Sequence, residues 1–312
     1  MSRDSTFDLR PGKAKNVIAN RYEIIRPLGR GGMGKVFLVV DRSNGQKLAM
    51  KALRNKWQDN DRVIARFARE VQALRGLNHP CITKIYETGR DGDLIFYTME
   101  YVKGRSVHDW LRKRGRLEFG SVVRVLCMVA SALEHAHRIT IHRDISPDNI
   151  MVMADGSVKL LDFGLAKIDD PNQNLTMVGA HMGKMQYNAP EQRISAKDVD
   201  HRADIYSLGV VFFEMLTGHR PKPGERLLDE CPELPPACEG FWQKAMAEDR
   251  EARFSNAIEF RRTLLAIYNG EAPPEFQAPP RPAAATQQAR VQLPLWRRLS
   301  PLQLLRRLLR KA

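Results

Sequence analysis

The stretch HRDISPDN, His142–Asn149, sets an aspartate, Asp144, five residues ahead of an amide, Asn149, with a serine, Ser146, between them. It lies where a long helical pattern, SVVRVLCMVASALEHAHRI, gives way to a strand-like one that ends in DFG, Asp162–Gly164, thirteen residues past Asn149. An aspartate in such a loop can accept a hydroxyl proton, and the side-chain oxygens of Asn149 and Asp162 are the ligands Mg2+ takes. Further on comes APE, Ala189–Glu191.

Upstream, YEIIRPLG, KVFLVV and QKLAMKAL read as strands bounded by turn residues, so a β-meander is expected from Arg21. Between the first two lies GRGGMGKV, with Gly29, Gly31 and Gly34 at GxGxxG spacing and Val36 after them. Glycines let backbone amides approach phosphate oxygens without a Cβ in the way. A dinucleotide fingerprint needs a helix straight after the glycines, and KVFLVV continues as a strand instead. Lys51 closes the third strand, and Glu70 sits nineteen residues later on a helix with apolar positions at Val63, Ile64, Phe67, Val71 and Leu74. A cation near phosphates needs an anion to orient it, and Glu70 can supply one. Two more strands, in CITKIYETG and DLIFYTMEYV, complete the β-rich part. Beyond Gly104 helical patterns dominate, up to SNAIEFRRTLLAIY, and from Gly270 the composition turns Pro- and Ala-rich.

Together these motifs resemble the protein kinase family, over about residues 21–268, with wording closest to bacterial serine/threonine kinases of the eukaryotic-like type. The resemblance implies an α+β, two-lobed fold: a flexible lead-in over 1–20, a small β-rich lobe with one main helix over 21–102, a larger helical lobe over 103–268, a linker over 269–290 and a basic amphipathic tail over 291–312. It implies ATP and Mg2+ as cofactors, with Mn2+ as a substitute, and protein hydroxyls as substrates. Met99 gates the adenine pocket on this reading, Glu100 and Val102 offer it backbone hydrogen bonds, and Leu28, Val36, Ala49 and Met151 form the apolar slot. Asp144 is the base, Lys51 and Glu70 the phosphate-orienting pair, and Asn149 and Asp162 the metal ligands. Asp204 braces the catalytic loop and Glu191 pairs with Arg253. Arg143 would bind a phosphate on the activation segment, where Thr176 is the candidate phosphosite.

The chain departs from the family in one matched pair of positions. The lysine usual two residues after the catalytic Asp is Ser146, and the threonine usual before APE, in GTxxYxAPE, is Lys184 in GKMQYNAPE. Coulomb attraction does not depend on which strand of a site delivers a cation. The expectation is therefore a reciprocal exchange, with Lys184 contacting phosphate and Ser146 bracing Asp144. The opposing reading is a nucleotide-binding pseudokinase that acts as a scaffold through its tail.

Composition is compatible with this. The 312 residues are 43% hydrophobic, enough for a real core, and a net charge of +14 points to an anionic partner. Cys81, Cys127, Cys231 and Cys238 show no CxxC spacing, the N-terminus carries no apolar signal stretch, and no window approaches the ~18 apolar residues of a membrane span, so a cytoplasmic protein is expected. In the tail, Leu302, Leu304, Leu305, Leu308 and Leu309 fall on one helical arc opposite Gln303, Arg306, Arg307, Arg310 and Lys311, with Trp296 ahead of them. Residues 296–312 suit an anionic membrane surface, at the inner face of the membrane, or a partner protein; a leucine face without interleaved aromatics disfavours nucleic acid.

Overall fold

In the computed structural model, which describes residues 17–30, 34–53, 71–72, 74–163, 184–194 and 198–276, the alternating segments pair as one antiparallel sheet. Its strands are β1 (Val17–Ile18), β2 (Tyr22–Arg30), β3 (Gly34–Asp41), β4 (Lys47–Leu53), β5 (Ile85–Asp91) and β6 (Leu94–Glu100), in the order β1-β2-β3-β4-β6-β5. Residues opposite one another across a ladder share a face. The registers Phe37↔Met50↔Thr98 and Val39↔Leu48 thus define one face, and Val36↔Lys51↔Tyr97 with Leu38↔Ala49↔Met99 the other. The first carries the core of Ile24, Phe37, Val39, Leu48, Met50 and Phe96. Each such side chain contributes about 1.5–3 kcal/mol on burial. Pro27, which cannot donate to a ladder, sits at an irregularity in the β2–β3 register. Val17 and Ile18, expected in a flexible lead-in, instead pair with β2, because Ile18 is needed in this core. Residues 71–72 and 74–75 are helical, with Val71 and Leu74 buried as the periodicity requires.

The described residues fall into two compact units, one reaching Lys103 and including Asp162 and Phe163, the other comprising Gly104–Leu161 and the residues from Lys184 onward. The DFG aspartate therefore belongs with the β-rich unit, although it lies within the span expected for the helical lobe.

The second unit holds a small sheet, β7 (Gly104–Ser106), β8 (Ile150–Met153) and β9 (Val158–Leu160), and helices α1 (Val107–Arg114), α2 (Phe119–Ala136), α3 (Pro190–Ile194), α4 (Arg202–Thr217), α5 (Leu227–Glu230), α6 (Ala237–Ala245) and α7 (Ala257–Asn269). Ser106 caps α1 by accepting the Asp109 N–H at 3.0 Å. The helix α4 is buried continuously from Ala203 to Leu216, as a helix apolar on every side must be. The 18-residue α2 is apolar and long enough to cross a membrane, but it packs against α4 and α7 with its Val, Leu and Ala side chains buried, as a core helix does. Cys231 and Cys238 are buried free thiols.

The start of the span expected as a linker, up to Phe276, packs on the helical unit. After α7 ends at Gly270 in the left-handed region (φ 83°), Pro274–Phe276 turns back onto α6, and Phe276 is only 7% exposed. A Cβ on Gly240 would lie 3.1 Å from its ring, so glycine at 240 makes the seat. A lone phenylalanine in a Pro-rich stretch thus anchors this segment to the helical unit.

Candidate active site

The loop His142–Asn149 joins α2 to β8 and hangs from one buried carboxylate. Asp204, fully excluded from water on α4, accepts the N–H of His142 at 2.9 Å through Oδ2 and that of Arg143 at 2.7 Å through Oδ1, and His137 Nε2 bonds Oδ2 at 2.9 Å. Burial pushes this carboxyl up, but the hydrogen bond and charge of His137 and the His142 N–H outweigh it, and Asp204 titrates below its ordinary range. Arg143 takes φ 63°, a left-handed turn that a non-glycine residue adopts only when its surroundings enforce it. His142 closes the loop from inside: Nε2 bonds the Leu161 carbonyl at 2.8 Å, while Nδ1 accepts the Asp144 N–H at 3.2 Å. Those partners set the tautomer.

Asp144 is held by Asn149, whose Nδ2 donates to the Asp144 carbonyl at 2.7 Å and to its carboxylate Oδ2 at 2.9 Å. The expected brace from Ser146 is absent. Ser146 is 1% exposed in an extended conformation (φ −159°, ψ 162°), and its hydroxyl has no hydrogen-bond partner among the described residues. The amide of Asn149 makes the contact expected of the hydroxyl. Lys184 begins the 3-10 turn Lys184–Tyr187; its side chain lies outside the described residues. That turn is anchored to α4, since the Tyr187 hydroxyl donates to Glu214 Oε2 at 2.5 Å and Ser207 Oγ to the Tyr187 carbonyl at 2.7 Å.

APE is fixed in the same way. Arg253 uses all five of its N–H donors: two on Glu191 at 2.7 and 2.8 Å, and three on the carbonyls of Ala247, Arg202 and Glu248. Gln192, to which no sequence motif points, accepts the Ala189 N–H and donates to the Arg143 carbonyl at 3.2 Å, tying this segment to the catalytic loop.

In the β-rich unit, Lys51 Nζ lies 3.0 Å from Asp162 Oδ2, and the Tyr97 hydroxyl donates to Oδ1 at 3.2 Å. Glu70, Gly31 and Thr176 lie outside the described residues. Gly34 is dictated by the fold, because a Cβ there would fall 1.9 Å from the Ala52 carbonyl, whereas a Cβ on Gly29 would meet nothing within 4 Å. The room above Gly29 is thus unused by the described residues. Leu28 and Gly29 lie on β2, Val36 on β3, Ala49 on β4, Met99 and Glu100 on β6, and Met151 on β8. Among the described residues, neither the N–H nor the C=O of Val102 has a hydrogen-bond partner, which fits a backbone position kept for a heterocyclic base. Each of the two side chains named as ligands has donor chemistry that suits Mg2+: Asp162, in the β-rich unit, offers carboxylate oxygens, and Asn149, in the helical unit, has its nitrogen committed to Asp144 and keeps a carbonyl oxygen. Tyr97 is missed by motif reading. Its signal is the register, which sets it directly opposite Lys51.

The model of the protein kinase domain matches residues 22–263. Among curated proteins, the probable serine/threonine-protein kinase PknB of Bifidobacterium longum is 36% identical over 279 residues, 81% of this chain and 40% of that protein. PknB of Mycobacterium tuberculosis is 36% identical over 83% of this chain and 44% of its own length, and PrkC of Bacillus subtilis 32% identical over 81% and 41%. The chain thus spans about two-fifths of the length of these relatives. Among solved structures, the Mycobacterium tuberculosis PknI kinase domain superposes with a TM-score of 0.67 at 28% identity, covering 82% of this chain and 99% of that one. With its catalytic loop, DFG and APE segments placed as described, the chain belongs to the protein kinase family.

Proposed function

We propose that the chain is an ATP-dependent serine/threonine protein kinase. The observation that carries this reading is the mounting of Asp144: its carboxylate is oriented by Asn149, and the backbone leading into it is pinned through Asp204 and His142. A positioned carboxylate can accept the proton of a substrate hydroxyl while that oxygen forms a bond to the γ-phosphorus and the bond to the ADP oxygen breaks. Lys51, oriented by Asp162, supplies the cation at the α- and β-phosphates. Asn149 and Asp162 would hold Mg2+, which when bound would supply charge neutralisation at the phosphate oxygens. Lys184 supplies the remaining cation at the γ-phosphate, in place of the lysine that Ser146 replaces. Ser146 itself has no part in orienting the base. Arg143 receives a phosphate on Thr176, and residues 296–312 bring the kinase to an anionic inner membrane face or a partner protein.

The deciding assay is transfer of labelled γ-phosphate to a basic protein, with Asp144→Asn as control. Transfer that Asp144→Asn abolishes supports the reading; retained ATP binding without transfer supports a scaffold that binds nucleotide. Vesicle co-sedimentation tests the tail: Leu305→Asp with Leu308→Asp should release the protein from anionic vesicles.

A further inference from the structure

The side chain at position 97 does more than fill the sheet. Tyr97 is 1% exposed on β6, on the face of the sheet that carries Val36, Lys51, Ala49 and Met99. A phenylalanine would fill the same volume; tyrosine adds one oxygen, and a buried phenol needs an acceptor. That acceptor is Oδ1 of Asp162, at 3.2 Å, while Lys51 holds Oδ2 at 3.0 Å. Asp162 meanwhile takes φ 46°, a left-handed backbone state that costs a non-glycine residue free energy. Two neighbouring strands, β4 through Lys51 and β6 through Tyr97, thus grip the two oxygens of one carboxylate on a strained backbone.

We propose that Tyr97 is a positioning residue for the metal-binding aspartate, fixing the carboxylate of Asp162 in the orientation in which it accepts a divalent cation. The proposal rests on Asp162 being a metal ligand. Groups that hydrogen-bond a ligating side chain set its direction, and each oxygen has a second lone pair for the ion.

The test is Mn2+ binding to the full chain, read by electron paramagnetic resonance with saturating non-hydrolysable ATP analogue, for wild type, Tyr97→Phe and Asp162→Asn. Loss of an outer hydrogen bond to a metal ligand weakens metal binding by roughly 10–100-fold. Tyr97→Phe is therefore expected to weaken Mn2+ affinity at least about tenfold, while binding of the nucleotide in EDTA changes less than about twofold. In turnover assays the apparent KM for Mg2+ should rise with kcat at saturating metal largely kept. Unchanged or tighter Mn2+ binding in Tyr97→Phe, with Asp162→Asn still abolishing it, overturns the role of Tyr97 alone. Unchanged binding in Asp162→Asn overturns the ligand assignment beneath it.

Discussion

Replacing Arg253 by methionine removes a guanidinium that is fully shielded from water and the five hydrogen bonds it donates, leaving the Glu191 carboxylate, 17% exposed, without its partner. Removing one member of a buried ion pair costs about 3–5 kcal/mol. The three stranded carbonyls add up to about 1 kcal/mol each where water cannot reach them. A total of about 3–8 kcal/mol is comparable with the whole stability of a domain, about 5–15 kcal/mol, and corresponds to a fall in Tm of about 6–32 °C for a chain of this size. Thermal denaturation followed by circular dichroism measures it. The double variant Glu191→Leu, Arg253→Met should recover part of the loss, because an apolar pair of similar volume avoids the uncompensated charge. The pair also sets a pH dependence. Burial raises the Glu191 carboxyl, but the hydrogen bond and charge of Arg253 outweigh that and lower its folded pKa below the ordinary 4.5. Its contribution is therefore complete above pH 4.5 and lost as pH falls through the lower folded value, and Arg253→Met should flatten that acid limb. A Tm drop under about 3 °C for the single variant, or a double variant less stable than the single, would refute the reasoning.

Three further outcomes are expected. Lys184→Thr should abolish phosphotransfer with nucleotide affinity retained, and adding Ser146→Lys should restore part of it; full activity in Lys184→Thr sinks the relocated cation. Ser146→Ala should leave activity within about twofold and Tm unchanged or slightly raised, since a buried hydroxyl with no partner among the described residues contributes only its desolvation cost; a large loss of kcat would return Ser146 to the site. Phe276→Ala should cost about 3 kcal/mol by the usual large-to-small penalty, and a chain ending at residue 268 should melt lower than one ending at 276; equal melting curves would make Phe276 a surface residue.

Patterns that repeat over a few residues are legible in the sequence. The strand alternation of KVFLVV and QKLAMKAL becomes β3 and β4, and the apolar run Leu208–Phe213 becomes the middle of the buried α4. Motif resemblance also anticipates the Glu191–Arg253 pair and the Asp204 brace. What escapes depends on registers and burial that link distant segments. Tyr97 reads as one more strand aromatic until the pairing with β4 sets it beside Lys51. The serine in HRDISPDN invites a role because its hydroxyl could reach Asp144 on paper, but the extended backbone at Ser146 turns it into the interior, and Asn149 takes the contact. Phe276 is hidden by its neighbours: proline and alanine suggest a linker, and only the glycine seat on α6 reveals the anchor.

The attachment of the catalytic loop to Asp204 has a consequence for its motions. The amide protons of His142 and Arg143 point at a buried carboxylate in the first turn of the most buried helix, not at a surface turn. Their exchange with solvent deuterium should therefore track opening of the helical unit as a whole, hours behind the amides of the exposed Gly92 turn in β5–β6. A base mounted this way has little freedom to lose when substrate arrives, so substrate binding need not supply the free energy of assembling it.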